Sequence, residues 1–152
     1  MPRKGYSPPL GGLFYFLKMA LTTELAIYKQ MYALLNHIID ACEHFPKMYK
    51  YSFGEKLMMT GIECCELIQN ANFTWKEERE FYQRQFSIKF QSLQLILRIC
   101  RDRRIVNERK FCEMLELAGS IGRQATAWRN QTIEDIKKGQ QNYSQNVNRQ
   151  AD

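Results

Sequence analysis

The chain has 152 residues, of which 45% are hydrophobic, 25% charged and 12% aromatic, with only 8 glycines and 4 prolines. This length allows one domain with a substantial core, and the scarcity of glycine and proline favours long helices over many short strands. A net charge of +6 and a pI near 9.1 are too low to indicate a nucleic-acid partner by themselves. Whether the chain could bind nucleic acid therefore depends on where its basic residues lie.

The N-terminal residues 1–18 resemble a signal peptide, because Arg3 and Lys4 precede a short apolar run. Lys18 ends that run, no small-residue cleavage site follows it, and no stretch of the chain approaches transmembrane length. We therefore expect 1–18 to be a disordered extension of a protein that does not bind a membrane. The folded domain is expected over 19–138.

Apolar residues then recur every three or four positions from Leu21 to His44, which predicts a first amphipathic helix. Thr22 or Thr23 can cap its start. Phe45-Pro46 closes it, because the residue before a proline avoids the helical region.

The second and third helices are predicted to start at capping boxes, in which a hydroxyl and a glutamate serve the free backbone donors of the first turn. The second follows the box Ser52–Glu55 and runs to about Ala71, with Ile62 among its core residues. The third opens at the box Thr74–Glu77 and reaches about Arg101.

The fourth helix is predicted to begin after Asn107 and to extend to Trp128 or beyond, with Leu115 on its apolar side. The amide-rich segment 139–152 is predicted to be a disordered polar tail. Four amphipathic helices joined by short loops predict an all-α fold, an up-down-up-down four-helix bundle.

The third helix has two apolar faces. One broad face suits the bundle core and contains Tyr82, Phe86, Phe90, Leu93, Ile96, Leu97 and Cys100. A separate stripe contains Phe81, Ile88, Leu95 and Ile99, and a second stripe has to be buried by something. The helix could contact two neighbours in its own bundle, but we favour a subunit interface and therefore a homo-oligomer.

The chain offers little for catalysis or metal binding. The five cysteines, Cys42, Cys64, Cys65, Cys100 and Cys112, form no C-x-x-C pair, and they are interpreted as reduced, mostly buried residues of a cytoplasmic protein. A metal site that joins them to His37 and His44 is disfavoured by the spacing. Neither a glycine-rich phosphate loop nor a hydrolase or metalloprotease motif occurs. The group of Glu77, Glu78 and Glu80 is explained by the start of a helix, where acidic residues complement the helix dipole. We expect no enzymatic activity, no metal and no cofactor.

Basic residues are the better functional indication. Those from the third helix and the loop after it are mostly arginine, which can bind phosphate through two parallel hydrogen bonds: Arg84, Arg98, Arg101, Arg103 and Arg104. A solvated charged face is the ordinary alternative. Repetition of the patch around an oligomer axis would strengthen its field and allow RNA or DNA binding.

The segment between the first two helices, F-P-K-M-Y-K-Y-S-F-G-E-K-L over 45–57, combines lysines with aromatic residues. Much of it is explained as turn and helix start, with Phe53 and Leu57 facing the core. A packed turn is the simpler interpretation of K-M-Y-K-Y. Lys47 and Lys50 become secondary nucleic-acid contacts if the topology brings them beside the arginine cluster.

Three short motifs resemble one known family. They are F-P-K-x-x-K-Y-x-x-G over 45–54, L-R-x-x-R over 97–101 and E-x-x-x-x-I-G over 116–122. With the four helices between Leu21 and Trp128, they resemble the accessory variability determinant proteins. These accompany the reverse transcriptase of diversity-generating retroelements and are related to four-helix proteins encoded in ribosomal-RNA intervening sequences.

The resemblance implies a non-catalytic pentameric barrel of four-helix bundles. It implies binding of the reverse transcriptase and of nucleic acid, namely the template-repeat RNA or its DNA copy, in support of adenine-directed mutagenic retrohoming. Basic positions of the motifs fall on Lys47, Lys50, Arg98 and Arg101, and Gly122 falls on a small position that permits close helix approach.

Two alternatives remain open on the residues alone. One is an intervening-sequence-type bundle that binds ribosomal RNA or acts elsewhere, and the other is a helical scaffold that binds only protein. The chain also departs from the accessory proteins, which often have an aromatic soon after the glycine, whereas Gln124 and then Trp128 follow Gly122 here.

Overall fold

A computed structural model describes residues 12–13 and 25–151 of the chain. Within this part the fold is all-α, without a strand, and its four long helices are α1 (Ala26–Glu43), α2 (Glu55–Phe73), α3 (Lys76–Asp102) and α4 (Glu108–Ala151). A single helical turn, Lys47–Tyr49, and a π-helical turn, Lys50–Gly54, lead directly into α2. The expected extension 1–18, apart from Gly12 and Leu13, and the Thr22 or Thr23 cap lie outside the described residues.

The helices form a ring in chain order. Helix α1 packs against α2 and α4, and α3 packs against α2 and α4. Because short loops join consecutive helices, neighbours run antiparallel, as predicted for an up-down-up-down bundle. The segment 44–54 and the loop 103–107 therefore lie at the same end of the bundle, which we call the upper end. None of the described helices has both the length and the apolar content to cross a membrane.

Apolar residues at the predicted three- and four-residue spacing fill the centre. The largest side chains with almost no exposed surface are Met31, Leu34, Ile38, Leu57, Ile68, Leu93, Met114 and Ile121. Three residues predicted for the core are not in it: Ile62 is 41% exposed, Leu115 is 52% exposed, and Tyr82 is half-buried but does not pack against the core. Ile62 and Leu115 lie at the margin of their helix's apolar arc, where the helical period alone does not distinguish core from surface.

The predicted capping boxes are wrong. The helical path starts after Pro46, whose carbonyl accepts from Lys50, and Ser52 lies inside the π-helical turn. The Ser52 hydroxyl points back along the chain and donates to the carbonyls of Met48 and Tyr49. A proline already starts this helix, so no donor at 54–55 needs a cap.

The Thr74 hydroxyl likewise donates backwards, to the carbonyls of Asn70 and Ala71. It completes the C-terminal end of α2 rather than starting α3. Helix α3 begins after Trp75 without a side-chain cap. The prediction for α4 holds, since the Asn107 side-chain oxygen accepts the backbone N–H of Lys110 at 2.8 Å.

The segment 139–152, for which the sequence predicts disorder, continues α4 as helix to Ala151. With 44 residues, α4 is about 66 Å long, far longer than α1, so its C-terminal part projects past the bundle. Every residue from 140 to 151 is exposed. Once the bundle has nucleated a helix, adding residues to its end costs little free energy. This explains why these residues are helical although they are not buried.

The glycine at a close helix contact is Gly61 rather than Gly122. A Cβ added at Gly61 would lie 2.7 Å from Cδ1 of Leu35 on α1, whereas one added at Gly122 would meet no atom within 4 Å. The expectation that Gly122 permits close approach is therefore wrong within the bundle, because that position lies beside the core face and not on it.

Candidate nucleic-acid interface

The loop after α3 is formed by a Schellman motif. The Ile105 N–H donates to the Cys100 carbonyl and the Arg104 N–H to the Arg101 carbonyl, each at 2.8 Å. This motif requires a left-handed residue, and Arg104 occupies that position with φ of 56°. Glycine is the usual residue there because a side chain makes the conformation costly. The fold thus carries an arginine where its backbone favours glycine.

Three arginines at the upper end have free guanidinium groups. Arg98, Arg103 and Arg104 are exposed, and none forms an ion pair with any residue that the structure describes. Arg98 lies on the side of α3 that packs against α4, where it borders a shallow cavity of about 80 Å³ together with Gln94 and Leu115. These charges are therefore available to a ligand.

Arg101 is placed differently from the other arginines of this end. Its guanidinium donates to the Asp102 carboxylate, through Nε at 3.1 Å and Nη2 at 3.0 Å. The same group lies over the Phe111 ring, with its Cζ 4.7 Å from the ring centroid. Arg101 thus connects the end of α3 to α4, and Asp102 neutralises part of its charge.

The topology brings Lys47 and Lys50 to the arginine end, the condition on which their prediction depended. The Cys42 thiol of α1 donates to the Gly54 carbonyl at 3.7 Å. Burial raises the pKa of Cys100 in α3 to about 11, and the neighbouring Cys42 thiol contributes to the same shift. The end of α1, the π-helical turn and the end of α3 are therefore adjacent.

The segment 47–51 contains both a packed and an exposed part. Tyr49 packs against the core and stacks on Phe53, with ring centroids 5.9 Å apart. Met48 and Tyr51 are each more than two-thirds exposed, beside the exposed Lys47. The π-helical turn creates this division, since its extra residue rotates successive side chains off the ordinary helical spacing.

Arg84 is not part of the cluster. It is exposed, with its guanidinium 6.0 Å from the Phe81 ring centroid, beside the second apolar stripe. It lies fourteen positions before Arg98 in the same helix, which corresponds to about 21 Å along the axis. The predicted basic residues thus divide into an upper-end group and a single distant arginine.

The second apolar stripe of α3 is not covered by the bundle. Phe81, Ile88 and Leu95 are 46%, 57% and 55% exposed, and Ile99 is half-buried. This excludes the interpretation that all of the stripe packs against a second helix of the same bundle. The stripe therefore remains the predicted oligomer interface.

An exposed apolar residue of α2 extends this surface. An ion pair between Lys89 and Glu63, at 2.7 Å, joins α3 to α2. Ile88 directly precedes Lys89 and is exposed. Met59, one turn before Glu63, is 52% exposed. The apolar surface therefore spans two helices and is larger than the sequence pattern of α3 alone indicates.

A family model described as bAvd-like matches residues 25–132, which include all of α1, α2 and α3 and most of the part of α4 that packs in the bundle. The chain belongs to the bAvd-like family, the accessory variability determinant family. A comparison with curated protein sequences finds no match. Membership confirms the resemblance suspected from the sequence motifs, and the bAvd-like region ends at Thr132, before the projecting part of α4.

The sequence patterns did not indicate two upper-end residues of this bAvd-like chain. Arg109 and Lys110, in the first turn of α4, follow the arginine loop and pair weakly with Glu113, at 3.6 and 3.9 Å. The helical pattern groups both with α4, although they lie next to the loop. The signal was the run R-D-R-R-I-V-N-E-R-K over 101–110, which continues the basic stretch across the helix start.

The three glutamates at the start of α3 and the buried thiols have structural roles. Glu80, predicted to be a first-turn acid, accepts from Arg129 of α4 at 2.8 Å, while Glu77 and Glu78 do lie in the first turn of α3. Four cysteines are buried and Cys112 is exposed, in agreement with the prediction that most of them are buried. Burial raises the pKa of Cys64 to about 12, so this thiol is protonated and unreactive near neutral pH.

Proposed function

We propose that this protein is a non-catalytic accessory subunit of a diversity-generating retroelement. It acts in the cytoplasm as a homo-oligomer, a pentamer, which binds the reverse transcriptase together with the template-repeat RNA or its cDNA and supports mutagenic retrohoming. Family membership supports the general role. The observation that carries the nucleic-acid part is the group of unpaired arginines around the left-handed Arg104.

Charge and shape at the upper end suit a nucleic-acid backbone. Arg98, Arg103 and Arg104 offer forked donors for phosphate, and Lys47 and Lys50 add charge from the neighbouring segment. A residue kept in a costly conformation supports a functional role, since strain of this kind concentrates at binding sites. If the position served only to end the helix, glycine would do so without the backbone strain.

Oligomerisation would multiply this modest patch. The exposed stripe of Phe81, Ile88, Leu95 and Ile99 supports contact between copies, because an apolar surface on two adjacent helices is costly in water. A ring of copies then repeats the upper-end cations around one axis and strengthens the field that attracts RNA.

The test is RNA binding by a variant that carries Arg98→Ala, Arg103→Ala and Arg104→Ala. We expect the template-repeat RNA to bind more weakly, with a shallower dependence of log affinity on log salt, by about 0.7 for each lost phosphate contact. A matched control, Arg123→Ala with Lys138→Ala and Arg149→Ala, removes the same charge from exposed positions of α4. Equal losses of RNA affinity in both variants would show that only net charge matters, and they would contradict a binding site at the upper end.

A pull-down with the cognate reverse transcriptase, at two salt concentrations and with or without the template RNA, tests the partner. Capture of the polymerase by the wild-type protein is the expected result. Capture of polymerase without any RNA binding would favour the protein-only scaffold. RNA binding without polymerase capture would favour the intervening-sequence-type alternative.

A further inference from the structure

A cleft at the upper end lies between the C-terminal turn of α1 and the loop that joins α3 to α4. It has a volume of about 260 Å³ and is lined by Asp40, Ala41, His44, Ile105, Val106, Asn107 and Lys110. The sequence motifs did not indicate it, because its two walls come from segments more than 60 residues apart. The cleft is open to solvent beside the basic residues described above.

The interior of the cleft is apolar, with a polar edge. Ala41 and Ile105 are half-buried and Val106 is buried, so a flat hydrophobic group could replace water against them. His44 Nδ1 is hydrogen-bonded to the Asp40 carbonyl at 3.1 Å, and Asn107 Oδ1 accepts the Lys110 N–H. These bonds hold the edge residues in place and leave the Asn107 amide nitrogen and the Asp40 carboxylate for a ligand.

Charges of both signs border the cleft. Asp40 lines it and makes no ion pair with any described residue, while Lys110, which also lines it, lies 3.9 Å from the Glu113 carboxylate. Outside the cleft, Arg104 directly precedes Ile105 and Lys47 follows His44 by three positions. A carboxylate repels a phosphate inside the cleft and accepts a hydrogen bond from an amino group. The cations around the opening attract phosphates to the outside.

We propose that this cleft receives one unpaired nucleobase of single-stranded RNA, with preference for a base that carries an exocyclic amino group. The proposal rests on the proposed function, because the same basic residues hold the phosphates on either side of the inserted base. Single-stranded RNA is the suitable form, since its bases can leave the stack and be bound at their edges. The Asp40 carboxylate accepts from the amino group, as carboxylates do from cytosine N4.

The test compares cytidine and uridine oligomers of equal length, which differ at the base edge in an amino or a carbonyl group. We expect the wild-type protein to bind oligo-C about tenfold more tightly than oligo-U, a difference of about 1.4 kcal/mol. The Asp40→Asn variant should bind both equally, because an amide serves either edge. A wild-type protein that does not distinguish the two oligomers would overturn the role of Asp40.

A second variant tests the cleft itself. Ala41→Leu fills it and should weaken oligo-C binding about tenfold while leaving double-stranded RNA binding unchanged, and Ala127→Leu on the exposed face of α4 is the matched control. Unfolding temperatures and circular dichroism of both variants show whether the bundle is intact. Equal oligo-C affinity in the folded Ala41→Leu variant and the wild type would contradict the inserted base.

The two proposals fail in different ways. If the wild type binds no RNA, or binds it unaffected by the arginine substitutions, the proposed function is wrong and the cleft proposal with it. If the arginine substitutions weaken binding while Ala41→Leu and Asp40→Asn do not, only the cleft proposal is wrong, and the phosphate contacts stand alone.

Discussion

Arg104 is held in the left-handed conformation by hydrogen bonds of the α3 terminus, with φ of 56°. A non-glycine residue there costs on the order of 1 kcal/mol. Its neighbour Arg103 has the same charge but an ordinary φ of −82°. This pair allows effects on stability and on binding to be separated. The two arginines offer the same guanidinium to a phosphate, but only Arg104 has a strained backbone.

We predict that Arg104→Gly raises the free energy of unfolding by about 0.5–1 kcal/mol and also weakens RNA binding. Arg103→Gly should weaken RNA binding but lower stability, because it gains no relief of backbone strain. Chemical denaturation without RNA and binding titrations measure the two effects. Loss of stability in both variants would contradict the strain at position 104.

Burial of thiols makes the bundle sensitive to alkaline pH. Burial first, then the neighbouring Cys65 and Glu63, raises the pKa of Cys64 from 9.0 to about 12. A raised pKa favours the protonated folded state, so this contribution to stability is complete below about pH 9 and is lost progressively as the pH rises towards 12. Exposed Cys112 has no comparable burial.

We therefore predict that the free energy of unfolding falls as the pH rises from about 9 to about 10.5, and that Cys64→Ala reduces this fall. Cys112→Ala is the control and should retain the full pH dependence of the wild type. Denaturant titrations at several pH values measure the difference. An unchanged slope in Cys64→Ala would show that other groups cause the alkaline loss.

The helices differ in how far local sequence determines their ends. Asn107 acts through a nearby backbone amide, and the start of α4 was predicted. Pro46 was predicted to end the first helix, but the helical turn that begins after it was not predicted. Ser52 and Thr74 have hydroxyls that can reach either forwards or backwards, and both reach backwards. Their direction depends on how tightly the chain turns, which a residue pattern does not contain.

Helix α3 contains an amide in the core. Gln83 is 4% exposed, and its side-chain oxygen and nitrogen have no hydrogen-bond partner among the described residues. It borders a small cavity with Phe86 and Trp128. A buried unsatisfied amide costs about 1–3 kcal/mol, so this position lowers the stability of α3 against its neighbours.

We predict that Gln83→Met, which keeps the shape and removes the amide, raises the free energy of unfolding by about 1 kcal/mol. Gln91→Met on the exposed face of the same helix should change it by less than about 0.5 kcal/mol. Denaturant unfolding measures both. A destabilised Gln83→Met protein would indicate that an internal water satisfies the amide.

At the scale of the whole molecule, the exposed stripe determines what the bundle can do. A monomer would leave Ile88 and Leu95 of α3 and Met59 of α2 more than half exposed. The sequence periodicity of α3 predicted the stripe. It did not predict the contribution of α2, because the register between two helices is set by contacts such as the Lys89–Glu63 ion pair.

We predict that the wild-type protein is a homo-oligomer in light scattering at micromolar concentration. The variant Ile88→Gln with Leu95→Gln should be a folded monomer, because the replaced side chains are exposed in a single bundle. Leu115→Gln, equally exposed on α4 but outside the stripe, is the control and should retain the assembly. A monomeric wild-type protein would contradict the interface.

The sequence alone determined the four helices, most of the core and the family, because helical periodicity and short motifs are local properties. Only the tertiary structure decided which basic residues lie together. It joined the segment 44–54 to the loop 103–107, separated Arg84 and placed Asp40 in a cleft near Arg104. Such contacts join residues distant in the chain, and they follow from how the four helices pack.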